Sequence, residues 1–475
     1  MNPGLRALAP YSILAVLCLL SPALRPVLSP DETRYFSVAW EMWQNGNWFV
    51  PTMNFAAYDD KPPLLFWLID LSWLVFGVGR FGASVVVFAV ASLVVWLTGR
   101  LARALLPERP DIQARLPWLM VGNAVFLIYA GLILFDLLLT ACVLVAVLGF
   151  LTLARGETRK GVLLVGLGLG FGILAKGPAT LIHAVWPLLL YPLWRGERET
   201  LSTARLWRGA GLALLVALAV VALWLVPALT ASDGRFAKEL IWDQSAGRIS
   251  GRMAASHPRP VYFYLMLLPI IGLPWLFLPQ FWRALATLRR RVAGAAEGDG
   301  EGRVLRLLLL WPLGILVVFS LISGKQPHYI LPIVAPLTIL FAWMLAALPP
   351  RSLVWRAYAT GGVLMAAQVV AAFTAYPLLE LQPVADLLAR ERDRPMAFAG
   401  NYAAEFGFLG RLTRPLDTID DDAAPAWAKA HPGGIVVSYD DSVAAAATGT
   451  LLTRPYRDDH VYVLSAEQLG ATPGG

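Results

Sequence analysis

Runs of roughly twenty apolar residues recur along most of this chain, and each is the length that crosses a hydrocarbon layer about 30 Å thick as a helix. In lipid, every backbone polar group has to be satisfied within its own segment, so such runs read as helices. The chain is therefore expected to be a polytopic α-helical membrane protein. Composition agrees: of 475 residues, 57% are hydrophobic and 15% charged, whereas soluble domains carry about 25% charged residues. The formal net charge of +7 belongs to cytoplasmic loops that set topology, and no nucleic acid partner is expected. Cys18 and Cys142 lie in apolar runs and read as small buried hydrophobes, not as a disulfide or metal pair.

About eleven transmembrane helices are expected. They lie near 7–28, 82–105, 116–134, 136–154, 160–175, 178–194, 208–230, 261–282, 304–322, 328–348 and 354–377. The first reads as a span, since no small-residue cleavage site closes it. The cationic loops support this arrangement. They hold Arg100, Arg103, Arg109 and Arg115; Arg155, Arg159 and Lys160; Arg195, Arg198, Arg205 and Arg208; Arg289 to Arg291 with Arg303 and Arg306; and Arg351 with Arg356. All fall on one side, which the positive-inside rule makes the cytoplasm. Residues 1–378 are then a transmembrane module with a long outer loop at 29–81. Residues 379–475 are a small extracytoplasmic α/β domain, with β-like runs at Met396–Ala399, Gly434–Ser438 and His460–Leu464.

The outer loop holds two unusual runs, Asp31-Glu32-Thr33-Arg34-Tyr35 and Tyr58-Asp59-Asp60-Lys61-Pro62-Pro63. Ser29-Pro30-Asp31-Glu32 reads as a capping box, with Ser29 at N-cap and Glu32 at N3, opening a helix that stops at Asn45-Gly46. Leu64 to Val78 reads as a second helix, on or shallowly in the membrane. Ionisable groups beside hydrocarbon are costly, so both runs are functional candidates. The Asp31 carboxylate is placed to take a proton from an acceptor hydroxyl or to orient a sugar. Arg34 suits holding a phosphate or orienting Asp31, and Lys61 suits a lipid phosphate at headgroup height.

Further groups are expected to face the same outer compartment. They are Asp136, Lys176 in Lys176-Gly177-Pro178, the set Asp243, Arg248, Arg252 and His257, and the run Lys325-Gln326-Pro327-His328-Tyr329. Cations on the outer side run against the orientation rule. An anionic lipid-borne ligand explains them, and the pattern fits chemistry on such a lipid better than transport. A flippase would instead carry symmetric broken helices with polar groups at mid-depth. A non-catalytic membrane scaffold has no reason to gather these groups around one compartment.

In this order, Asp31-Glu32-x-Arg34-Tyr35, Tyr58-x-Asp60-Lys61-Pro62-Pro63, Asp136, Lys176-Gly177-Pro178 and Lys325-x-Pro327-x-Tyr329-x-Leu331-Pro332 resemble the polyprenyl-phosphate-sugar glycosyltransferases of GT-C type. The resemblance covers residues 1–380 and is nearest to the bacterial branch with the lipid A aminoarabinose transferases. Protein O-mannosyltransferases are more distant. It implies a GT-C fold, an undecaprenyl-phosphate-linked sugar donor, and lipid A or another envelope glycan as acceptor. It places the protein in the bacterial inner membrane, with the active site facing outward. By motif match, Lys61, Arg248, Lys176 and Tyr329 meet the donor phosphate. Asp31, Asp136 and Arg34 serve the reacting centre, and Tyr58, Asp60 and Lys325 support them. Asp60 stands where that branch usually shows Glu, and Asp243 where it often shows His. No residue set has diagnostic metal-ligand spacing, so no metal or cofactor is expected.

Overall fold

In a computed structural model of the chain, residues 3–231, 258–294 and 299–470 are described. They form two compact units, one within 1–21 and 59–366, the other within 22–58 and 367–475. Among the described residues, 8 helices are long and apolar enough to cross a membrane: Ala7–Leu24, Arg80–Leu105, Phe135–Ala154, Thr158–Lys176, Thr203–Thr230, Gly300–Leu321, Pro327–Met344 and Pro350–Phe373.

The first unit is helical. Its elements include α1 (Pro3–Leu24), then, in chain order after α2, α3 (Leu64–Phe76), α4 (Arg80–Leu105), α5 (Pro110–Val121), α6 (Ala124–Ala130), α7 (Phe135–Ala154) and α8 (Thr158–Lys176). Short helices α9 (Ala179–Ala184), α10 (Trp186–Leu189) and α11 (Tyr191–Trp194) precede α12 (Thr203–Thr230). Then come α13 (Phe263–Ile271), α14 (Pro279–Gly294), α15 (Gly300–Leu321), α16 (Val334–Met344) and α17 (Pro350–Phe373). The central element is α7, buried on nearly every face, whereas α12 leaves Leu215, Leu218 and Leu223 exposed. Such an outward apolar face suits lipid.

Three stretches expected as single spans are interrupted. Residues 116–134 break at Gly122-Asn123, where the Asn123 side chain caps α6 by accepting from Phe126 N at 2.9 Å. Residues 178–194 become α9 to α11, with Pro187 and Pro192 in the first turns of α10 and α11. Residues 261–282 divide into α13, a 3-10 turn at Trp275–Phe277 and the start of α14, with Pro274 and Pro279 at the junctions. Proline removes a backbone donor and clashes with the preceding turn, so an apolar run carrying it need not be one helix.

The second unit joins α2 (Asp31–Asn45) to the C-terminal part of the chain. The predicted capping box forms differently. Pro30, not Ser29, stands at the N-cap with no side-chain cap, and Glu32 reaches back to Leu28 N at 3.0 Å. The helix ends at Gly46 in the left-handed region, φ 64°, which glycine adopts without steric cost. Strands β1 (Thr52–Met53) and β2 (Ala56–Ala57) then form a small antiparallel hairpin.

After α18 (Gln382–Arg390), a five-stranded sheet is built from β3 (Met396–Ala399), β4 (Asp417–Ile419), β5 (Ile435–Ser438), β6 (Leu452–Tyr456) and β7 (Asp459–Ser465). The order is β4-β3-β5-β7-β6. The pairs β3–β4 and β3–β5 are parallel, and β5–β7 and β6–β7 antiparallel. Strands β3 and β5 are buried on both faces. Phe398 and Val437 pack with Val384 and Leu388 of α18, while Ala397 and Val436 pack with Trp427 and Ala428 on the other side. The three expected β-like runs coincide with β3, β5 and β7.

Candidate active site

The first group gathers where α7 begins and α8 ends. Asp136 lies in the first turn of α7, after extended Leu134, and is 2% exposed. Lys176 is the last residue of α8, which stops at Gly177, φ 66°. A carboxylate at a helix N-terminus and an ammonium at a C-terminus each sit at the favourable end of the helix dipole. The two side chains form a buried ion pair. Lys176 Nζ also lies 4.8 Å from the centre of the Tyr329 ring, a cation–π contact. His328 Nε2 is 4.0 Å from the second Asp136 oxygen.

Aromatic rings surround this pair. Tyr129 lies edge-on to His328 with centroids 6.4 Å apart, and Phe319 is 6.2 Å from Tyr329. His183 stacks on Phe319 at 5.0 Å, is 1% exposed, and has no hydrogen-bond partner for either ring nitrogen among the described residues. Lys325 is engaged differently, donating to the Arg259 carbonyl at 2.9 Å, where Pro258 and Gly324 form a β-bridge. Of the expected residues in this unit, Asp136, Lys176 and Tyr329 come together. Lys325 pins the adjacent backbone. Lys61 is half-buried and its Nζ is 3.3 Å from the Asp60 carbonyl. The prolines that follow it lead into α3, with Pro63 at the N-cap.

The second group lies in the other unit, at the start of α2. Glu32 is buried and structural: it accepts from Arg25 Nη2 at 2.7 Å as well as from Leu28 N. Asp31 is half-buried, and the Tyr35 hydroxyl lies 3.4 Å from its Oδ1. Arg34, half-buried, has the buried Glu405 as an electrostatic neighbour. Burial pushes the Glu405 carboxyl above the usual glutamate range, against the opposing pull of hydrogen bonds from its own and the Ala403 backbone N–H and of Arg34 and Arg457. Tyr58 is 4% exposed, and its N–H donates to the Pro51 carbonyl at 2.9 Å. Asp243, Arg248, Arg252 and His257 lie outside the described residues.

Sequence reasoning did not single out Tyr129 or His183. His183 carried a weak signal, being one of 5 histidines, set inside an apolar stretch. Among the described residues, Asp441, Asp459 and His460 could hold a cation, with ligand atoms all within 4.8 Å of one another. They are exposed on the sheet domain, and Asp441 already accepts the Tyr462 hydroxyl at 2.5 Å.

Comparison with known proteins adds relatives to this geometry. Residues 60–224 match the family model described as dolichyl-phosphate-mannose-protein mannosyltransferase. The undecaprenyl phosphate-alpha-4-amino-4-deoxy-L-arabinose arabinosyl transferase 1 of Pseudomonas fluorescens is 32% identical over 316 residues, covering 66% of this chain and 52% of that protein. The chain thus spans little more than half the length of that curated relative. The crystal structure of ArnT from Cupriavidus metallidurans in the apo state superposes with a TM-score of 0.76 at 18% identity, over 98% of this chain and 99% of that one. The same protein bound to undecaprenyl phosphate gives 0.73 at 19% identity, over 99% and 100%. This chain is thus similar in sequence to an aminoarabinose transferase over 66% of its length, and similar in fold to ArnT from Cupriavidus metallidurans.

Proposed function

We propose that this protein transfers a sugar from an undecaprenyl-phosphate carrier to an acceptor in the cell envelope, with lipid A first among candidates. The observation that carries this reading is the buried Asp136–Lys176 pair beside Tyr329, within a chain whose relatives act on undecaprenyl-phosphate sugars. Lys61, Arg248, Lys176 and Tyr329 meet the donor phosphate, whose negative charge grows as the bond from the sugar's anomeric carbon breaks. Fixed cations stabilise that charge in the transition state. The acceptor oxygen forms the new bond from the opposite face. If the acceptor is a hydroxyl, Asp31 takes its proton; if it is a phosphate, Asp31 only orients it.

Asp136, paired with Lys176, orders the reacting centre, while Arg34, Asp60 and Tyr58 support it. Lys325 acts through the backbone at Arg259. The expected eleven or so spans put the N-terminus inside and this site outside, in the inner membrane of a bacterium. In membrane terms the division falls near residue 378, with the spans before it and the soluble part after it; residues 22–58 pack with the latter.

The test is mass spectrometry of lipid A and total glycolipids from cells carrying the protein, its Asp31→Asn variant or its Lys61→Ala variant. A one-sugar mass difference on lipid A that both variants abolish, at unchanged membrane insertion, supports the reading. A change on another glycan or on protein keeps the enzyme and replaces the acceptor. No change, in a host that makes the donor, favours a lipid transporter or a scaffold.

A further inference from the structure

The turn between β1 and β2 is built on two residues that seldom adopt its shape. Asn54 and Phe55 have φ of 53° and 61°, both in the left-handed region. With Met53 opposite Ala56, they form a two-residue hairpin loop in which both residues have positive φ. Glycine is the usual second residue of such a turn, and a bulky aromatic there is strained. The hairpin has little burial to hold it: each strand is two residues long, and Ala56 and Ala57 are exposed.

Two tethers hold the turn instead. Glu41, on the third turn of α2 and 2% exposed, accepts the Asn54 N–H at 2.7 Å on one carboxylate oxygen and the Phe55 N–H at 2.8 Å on the other. Hydrogen bonds to a carboxylate are stronger than those between neutral groups. The Asn54 side chain, in turn, donates to the Leu416 carbonyl at 2.8 Å and accepts from the Leu416 N–H at 2.9 Å. A buried charge and a strained turn are both costly, and such strain collects where a site has to be held in one geometry. Strand β2 runs from this turn straight into Tyr58, and Asp60 and Lys61 follow along the chain.

We propose that Glu41 is a positioning residue for the donor-binding motif: its carboxylate grips the Asn54–Phe55 turn and so fixes the strand that delivers Tyr58, Asp60 and Lys61. This inference rests on the donor role given above to Lys61.

The test uses the full chain in lipid nanodiscs, with undecaprenyl phosphate itself as the probe. Binding and unfolding temperature are measured for Lys61→Ala, Glu41→Gln and the double variant Glu41→Gln/Phe55→Gly. Glu41→Gln is expected to weaken binding about tenfold with little change in unfolding temperature. Glycine at 55 takes the positive φ without strain, so the double variant is expected to recover most of the affinity. A role confined to folding would lower the unfolding temperature and leave affinity intact in the folded fraction, which overturns the proposal. So does unchanged binding by Glu41→Gln where Lys61→Ala binds weakly. Unchanged binding by Lys61→Ala overturns the donor-site reading on which the proposal stands. Should Glu41→Gln fail to fold, Asn54→Ala removes the second tether and carries the same expectation for affinity.

Discussion

At the scale of single residues, the chain invests most in buried charge. Asp136 and Lys176 are 3% and 12% exposed at the side chain. Removing one partner of a buried pair leaves an uncompensated charge and costs about 3–5 kcal/mol. Lys176→Met alone should therefore lower the unfolding temperature sharply. Asp136→Asn/Lys176→Met should recover most of that stability, yet transfer activity should stay at least about a hundredfold down. If the double variant regained activity, the pair would be structural only.

Glu405 gives a pH prediction. Burial raises its carboxyl above the ordinary value of 4.5. Below that value both folded and unfolded chains hold the proton, and the group's contribution to stability is complete. As pH rises past it, the unfolded chain releases the proton first, so stability from this group falls until the folded carboxyl also ionises. Glu405→Gln should remove this slope. Thermal unfolding of the variant should match the parent near pH 4 and exceed it near pH 7.

At the scale of elements, α8 is packed by its glycines. On one side a Cβ at Gly168 would come within 2.5 Å of Ala146 N on α7, and one at Gly161 within 2.6 Å of the Leu153 backbone. On another side a Cβ at Gly166 would meet Val216 Cβ at 2.4 Å, and one at Gly170 would meet Val220 Cβ at 2.7 Å, both on α12. Small residues at such spacing let helix backbones approach where lipid supplies no hydrophobic drive. Gly168→Leu should therefore destabilise the bundle by at least about 1–3 kcal/mol, the usual range for overpacking. Gly211→Ala, on α12 with no atom within 4 Å of its added Cβ, should be harmless. Size-exclusion profiles and unfolding temperatures of the two in one detergent separate them.

Much at this scale was legible in the sequence. Helix α2 ends at Gly46 as its Asn-Gly pair indicated, and the three short β-like runs of the C-terminal part are strands. Of the five strands in the C-terminal sheet, the two missed, β4 and β6, are its edges. One has three residues and little burial, and the other carries Pro455, which an edge tolerates. Edge strands lack the two-sided apolar pattern that marks a central strand.

At the scale of the whole molecule, residues 22–58 fold with the C-terminal sheet domain although over three hundred residues separate them. Phe36 stacks on Phe408 at 4.4 Å, Ser37 Oγ donates to the Ala404 carbonyl at 2.7 Å, and Trp40 Nε1 donates to the Leu412 carbonyl at 2.8 Å. A fragment of residues 379–475 alone would expose the apolar side chains that α2 covers. It should bind a hydrophobic dye and self-associate, and fusing residues 22–58 to it through a flexible linker should suppress both. A fragment that stays monomeric and binds no dye would show that α2 adds nothing to this fold.

Periodicity and composition determined that this chain is built largely of helices long and apolar enough to cross a membrane, and that a small α/β part follows them. Those properties are local: they depend on apolar run length, charge placement and turn residues that neighbours in sequence share. The ordered motifs also offered candidates for the residues that carry chemistry. Only the tertiary structure decided which of them meet. The pairing of Asp136 with Lys176, the contact of Lys176 with Tyr329, and the grip of Glu41 and Leu416 on the Asn54–Phe55 turn all join residues distant in sequence or in separate elements. Such partners are chosen by packing, and packing leaves no periodic mark on the chain.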